Sequence, residues 1–154
     1  MKKKKDKNKK NASAMRRYEY RIYPSASQVG LFIRTFGCVR FVYNKLLRER
    51  IDAYEQTGKT LINTPAHLKS DFPWLAEVDS YALCNAQMAL QSAFSKFFED
   101  ESAGFPRFKS KKNPTRTYTT NCTNNNIEII RDADAPTRRQ WKLKLPKVGL
   151  VDIV

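Results

Sequence analysis

Residues 104–120 read GFPRFKSKKNPTRTYTT, and this stretch separates two unlike halves of the chain. Before it, apolar residues recur at helical spacing with few turn residues; after it, short β-type runs are broken by Asn, Asp and Pro. An α+β fold is the expectation. Within the stretch, Phe105, Phe108 and Tyr118 interleave with Arg107, Lys109, Lys111, Lys112 and Arg116. Cations neutralise phosphates and flat rings offer faces on which unpaired bases stack, so the mixture suits single-stranded or structured nucleic acid. It equally suits a solvated basic loop whose Phe side chains fold back into a core.

Upstream, residues 18–23 (YEYRIY) alternate apolar and charged side chains, the period of a half-buried strand, and Pro24 closes it. Ser25 or Ser27 then caps a helix, with Gln28 close behind. From Gln28 to Thr57, Leu31, Phe32, Val39, Val42, Leu46 and Ile51 recur at three- and four-residue intervals. Gly37 weakens the middle, which predicts two helices, or one bent helix, meeting near residues 35–38. Arg34, Arg40, Lys45, Arg48 and Arg50 fall largely on the more polar face, where they can follow a phosphate backbone or simply be solvated. Gly58 is placed as the C-terminal cap. Asn63 or Thr64 before Pro65 predicts a short helix to Ser70, and Trp74 and Leu75 pin the following turn to the core. Asp79 or Ser80 caps a second long helix, whose stripe of Leu83, Ala86, Leu90, Phe94, Phe97 and Phe98 reads as core; its acidic end, residues 99–101, opposes the helix dipole.

Downstream, residues 118–122, 127–130, 141–145 and 150–154 are four strand candidates, spaced as in a meander or small barrel. The final VGLVDIV has no closing turn, so the architecture is expected to continue further. Residues 1–14, MKKKKDKNKKNASA, have the composition of a disordered, solubilising or phosphate-attracting tail.

The net charge is +14; seven Lys against one Asp in residues 2–10 account for only part of it, and +8 remains on the rest. A basic body of this kind favours a polyanionic partner, nucleic acid being the commonest. No apolar run approaches the ~20 residues a bilayer requires, and the Lys-rich start lacks the apolar segment of a signal peptide. Cys38, Cys84 and Cys122 have neither paired spacing nor a histidine cluster, since His67 is the one His. These features predict reduced thiols in a cytoplasmic protein without a zinc site or other cofactor.

Seven segments carry a resemblance. YRIYPSASQ (20–28), RTFGCVRFVYN (34–44), WLAEVDSYAL (74–83), FSKFFED (94–100), GFPRFKSKK (104–112), TNNNI (123–127) and KLPKVG (144–149) occur in the order and spacing of the N-terminal part of TnpB/OrfB proteins. That family comprises transposon-encoded, RNA-guided DNA nucleases related to the type V CRISPR effectors, and the resemblance covers residues 15–154. It implies a helical recognition lobe (24–117) inserted into a small wedge β-barrel, with a first wedge strand at 15–23 and the remaining, incomplete barrel strands at 118–154. It also implies structured guide RNA and target DNA as partners, with Arg107, Lys109, Lys111, Lys112, Arg116 and Tyr118 at the nucleic acid. The family's positions that recognise a motif beside the DNA target map onto Asn63, Ser80, Cys84, Thr123 and Asn124.

The family's RuvC-like domain and zinc finger are expected C-terminal to the resembling region. Asp132, Asp134, Asp152 and Glu99 have no recognisable carboxylate partner of the kind a two-metal nuclease needs. The sequence therefore predicts a non-catalytic binding module, with a nuclease half on another polypeptide as a possible partner. Two other readings compete with it: an active nuclease in its own right, and a helix-turn-helix repressor or transposition protein using residues 28–55 as paired helices around Gly37.

Overall fold

The Ser25 hydroxyl accepts the Gln28 backbone N–H at 3.4 Å, and Gln28 Oε1 accepts the Ser25 N–H at 2.9 Å. This reciprocal cap satisfies two donors of the first turn and starts helix α1, Ala26–Thr57. In the computed structural model, which describes residues 18–112 and 116–154, α1 runs 32 residues without a break. It stops at Gly58, whose φ of 66° is the left-handed conformation that glycine adopts without strain and whose N–H reaches the Tyr54 carbonyl at 2.8 Å. The two-helix alternative for residues 28–57 is thus corrected. Buried Phe32, Thr35, Val39, Val42 and Leu46 keep one phase on both sides of Gly37, and that shared burial outweighs the ~1 kcal/mol a mid-helix glycine costs.

A Cβ added at Gly37 would meet nothing within 4 Å. Gly37→Ala is therefore expected to stabilise the protein by about 0.5–1 kcal/mol, raising the melting temperature by a few degrees. A fall in melting temperature would show that residues 35–38 turn.

Three further pieces complete the helical part: α2 (Leu68–Asp71), a 3-10 turn (Pro73–Glu77) and α3 (Ser80–Glu99). The helix expected from residue 65 is shorter than its sequence suggests, because Asn63 does not cap it and points into the core instead. Asp79 caps α3 by accepting the Tyr81 N–H at 3.1 Å. Val42, Leu46 and Leu47 of α1 pack with Leu83, Ala86 and Leu90 of α3 over Leu68, Leu75 and Val78, all 3% exposed or less. The Phe stripe leaves this core toward the end of α3, where Phe98 is 70% exposed, which corrects its reading as core throughout.

The second layer is an open antiparallel sheet in the order β1-β4-β3-β2, from β1 (Ile22–Tyr23), β2 (Glu128–Arg131), β3 (Trp141–Leu145) and β4 (Gly149–Ile153). The chain leaves after β1, builds α1, α2, the 3-10 turn and α3, and returns at β2, with a second 3-10 turn (Thr137–Arg139) between β2 and β3. Arg21 and Val154 exchange two backbone hydrogen bonds beyond the β1–β4 register Ile22↔Ile153 and Tyr23↔Asp152. Lys142 on β3 reaches Asp132 at 2.8 Å; this contact lowers the pKa of the Asp132 carboxyl and raises that of the Lys142 ammonium. Val148 and Val151 form a small second core with Phe32, and the Gln28 amide ties α1 to the sheet by donating to the Leu150 and Val148 carbonyls at 2.7 and 3.3 Å.

Two strand expectations change. Residues 18–23 contribute only Ile22–Tyr23 to the sheet. Residues 118–122 form no strand, because helix and turn side chains take their polar groups: Asn85 takes the Thr119 carbonyl, Asn126 that of Asn121, and Asp79 the Thr120 hydroxyl. The tail expected at 1–14, and residues 15–17 and 113–115, lie outside the described residues.

Candidate nucleic-acid interface

Positions spaced three and four apart on α1 present one face, and Gly37, Arg40, Phe41, Asn44, Lys45 and Arg48 line an open groove of about 360 Å³ along it. Phe41 floors one end, edge-on to Phe72 and Trp74 with centroids at 4.8 and 4.9 Å. One of the groove residues, Asn44, holds a segment 65 residues away in sequence. Asn44 Oδ1 accepts the Lys109 N–H at 2.8 Å, and Asn44 Nδ2 donates to the Lys109 carbonyl at 2.9 Å. One amide side chain thereby satisfies both backbone groups of a loop residue, as a neighbouring strand would.

Two cation–π contacts reinforce this clasp. The Lys109 ammonium lies 4.3 Å from the Tyr43 ring centroid, and the Arg48 guanidinium lies 5.3 Å from that of Phe108. Although Lys109 is exposed as a residue, desolvation of its ammonium lowers its pKa. Lys111 and Lys112 follow in an exposed turn, where Ser110 Oγ accepts the Lys112 N–H at 3.1 Å. Arg40, Lys45 and Arg48 share the groove with Asn44, which holds Lys109, and Arg48 reaches the neighbouring Phe108. A row of cations on a rigid helix, joined to a basic loop, can neutralise successive phosphates of a nucleic-acid backbone.

The other members of the stretch go elsewhere. Arg107 and Arg116 are exposed. The Tyr118 ring packs against Phe32 and Phe36, with centroids at 6.3 and 6.0 Å, and bridges the two cores; burial and the nearby Asp79 raise the pKa of its hydroxyl. Phe105 turns back onto Phe94 and Phe97 at the end of α3. Of the α1 cations, Arg34 reaches Glu77 at 4.0 Å, and Arg50 is buried rather than on the polar face.

A second surface gathers around the start of α3. Ser80 and Cys84 are exposed one turn apart, and the Ser80 hydroxyl accepts from Lys69 Nζ at 2.9 Å. Asn85 Nδ2 donates to the Thr119 carbonyl at 3.1 Å and to Asn121 Oδ1 at 3.0 Å, fastening the incoming chain to this end of the helix. Thr123 and Asn124 follow in a turn with Asn124 and Asn125 at φ of 50° and 56°, which Asn tolerates better than most residues. The Thr123 N–H and Asn126 Oδ1, 2.7 Å apart, close that turn. Asn63 stands apart from these four. Its Oδ1 accepts from Arg50 Nε at 2.9 Å, and its Nδ2 donates to Glu49 Oε2 at 2.7 Å and to the Leu46 carbonyl at 3.2 Å.

Asn44 and Asn85 do not stand out in the sequence. The one signal for each is an amide on an otherwise well-patterned helix. Among the described residues no group of three or more His, Cys, Asp or Glu could hold a metal ion, and no helix is long and apolar enough to cross a membrane.

Residues 15–59 match a family model described as a helix-turn-helix domain, that of OrfB proteins. The chain is 35% identical over 144 residues to a putative RNA-guided DNA endonuclease of Streptomyces pristinaespiralis, covering 86% of this chain and 35% of that protein. It is also 35% identical over 105 residues to virulence protein VsdF of Salmonella dublin, covering 58% of this chain and 88% of that one. The chain thus spans about a third of the first relative and most of the second.

Proposed function

Since the chain belongs to the OrfB/TnpB family of transposon-associated proteins and corresponds to its N-terminal region, we propose that it is a nucleic-acid-binding module that holds a structured guide RNA and the duplex this forms with target DNA. The observation that carries the proposal is the clasp of Asn44 on Lys109, which fastens the basic loop to α1 through a residue that lines the groove. In this reading Arg40, Lys45, Arg48, Lys109, Lys111 and Lys112 face phosphates, Arg107 and Arg116 extend the charged surface, and base pairing supplies sequence readout. The sheet and the helical part take the roles of wedge and recognition lobe, the wedge being a barrel of which these four strands are part. Cleavage, which the name of the Streptomyces relative states for that protein, belongs to a carboxylate-bearing region or polypeptide acting with this one.

Binding of the full chain to a hairpin-rich RNA transcribed beside its own gene, against duplex DNA of equal length at matched salt, tests the proposal. Tighter RNA binding is expected. Preference for the duplex would favour the helix-turn-helix alternative, which the family description supports but which calls for two helices where α1 is one.

Target-motif recognition is assigned to the surface at the start of α3, with Ser80, Cys84, Thr123 and Asn124 as its readers. Hydroxyls and amides hydrogen-bond base edges, and the Thr123 and Asn124 side chains sit in a fixed turn. Thr123→Ala with Asn124→Ala is expected to reduce discrimination between target sites with and without the motif by about tenfold or more, the size of one or two base contacts. Unchanged discrimination would remove these residues from the site.

A further inference from the structure

The end of α3 is unlike the rest of this basic protein. Phe94 and Phe97 on its last turns meet both Phe98 and Phe105, the latter folded back onto them past the acidic turn at residues 99–101, with ring centroids 5.2–6.4 Å apart. Phe98 and Phe105 remain 70% and 47% exposed. Exposed aromatic clusters of this kind mark contact surfaces.

Three features at this end attract cations. Glu99, Asp100 and Glu101 are consecutive and exposed, and Asp100, which accepts both the N–H and the hydroxyl of Ser102, has its carboxyl pKa lowered. The last carbonyls of the 20-residue α3 put the negative end of its dipole at the same place. The Phe rings present electron-rich faces, and the cluster already holds one cation from the interior: the Arg50 guanidinium lies 5.4 Å from the Phe94 centroid. Lys96 and Arg107 flank the patch and leave the three carboxylates in the majority. A phosphate backbone is repelled here, while an apolar segment without charge leaves the carboxylates unpaired.

We propose that this patch docks a basic, apolar-anchored polypeptide segment, whose Arg or Lys side chains lie over Phe98 and Phe105 and pair with Glu99 and Glu101. It shares no residue with the lining of the α1 groove, so the protein can hold nucleic acid and a basic protein segment at once.

The test is NMR titration of the full chain with a synthetic peptide alternating Arg and Leu, alongside control peptides with Glu for Arg or Ser for Leu. Saturable shifts confined to residues 94–105 are expected from the first peptide alone. Phe98→Ser, and separately Glu99→Gln with Glu101→Gln, should each weaken binding by about tenfold or more. Phe98 is exposed enough that its replacement should leave the melting temperature and nucleic-acid affinity unchanged, which separates failure of this site from failure of the groove. The proposal is overturned by shifts elsewhere or none, by oligothymidylate occupying the patch instead, or by self-association of the chain that Phe98→Ser abolishes.

Discussion

Alanine at Arg40, Lys45, Arg48 and Lys109 together is expected to weaken nucleic-acid binding by two to three orders of magnitude near physiological salt and to flatten its salt dependence. Each phosphate contact on duplex contributes about 0.9 to the slope of log K against log salt, and on single strands about 0.7, so losing four should lower the slope by about 3–4. The fold should survive. These side chains line the open groove or lie across the rings of Tyr43 and Phe108, none is among the buried core residues, and exposed cation–π contacts contribute only about 0.5–1 kcal/mol. The decisive control removes four lysines from residues 2–10 instead, which lowers the net charge equally. A groove predicts a much smaller loss from the tail variant. Equal losses would mean that binding follows total charge and that the geometry around Asn44 is irrelevant. Asn44→Ala separates position from charge: it deletes both bonds to Lys109 and leaves every cation in place, so an intermediate loss of affinity is expected.

What could be read from the sequence divides by distance along the chain. Three of the four expected caps were legible because their chemistry is local: Ser25 with Gln28, Gly58, and Asp79 before Tyr81 each lie within four residues of the group they satisfy, whereas Asn63 is taken by Arg50. The strand at 141–145 was legible because WKLKL alternates with period two, and most of the one at 150–154 because a short apolar run follows turn residues. Residues 118–122 have a similar β-type composition, yet their carbonyls and hydroxyl bond to Asn85, Asn126 and Asp79, and that competition is invisible without the fold. The site shows the same split. Basic residues in the loop and on α1 were visible as charge, but not that Asn44 joins them, nor that Tyr118 is used between two cores. The Phe stripe of α3 follows one helical phase throughout, but its covering layer ends before Phe98, and periodicity does not report where a covering layer stops.

Asn63 is where the implied role and the packing diverge most, and Asn63→Ala is expected to destabilise the protein by about 3 kcal/mol. The Arg50 guanidinium is 8% exposed as a residue, and burial lowers its pKa. Its Nε donates to Asn63 and its Nη1 to Gln91 at 3.1 Å, while Nη2 has no hydrogen-bond partner among the described residues. Alanine would strand a second N–H of a buried cation and release the donors that meet the Leu46 carbonyl and Glu49. At about 2–4 °C per kcal/mol for a chain of this size, the melting temperature should fall by roughly 6–12 °C. Because the damage lies in an unpaired charge, adding Arg50→Met should recover part of it: replacing buried polar partners together with apolar groups costs less than removing one. A reader of base edges behaves differently. If Asn63 recognises the target motif, its alanine variant should melt like the parent and lose only discrimination between sites, and the double variant should gain nothing. A large fall in melting temperature with partial recovery in the double variant would fix Asn63 as the residue that keeps Arg50 satisfied between α1 and α3.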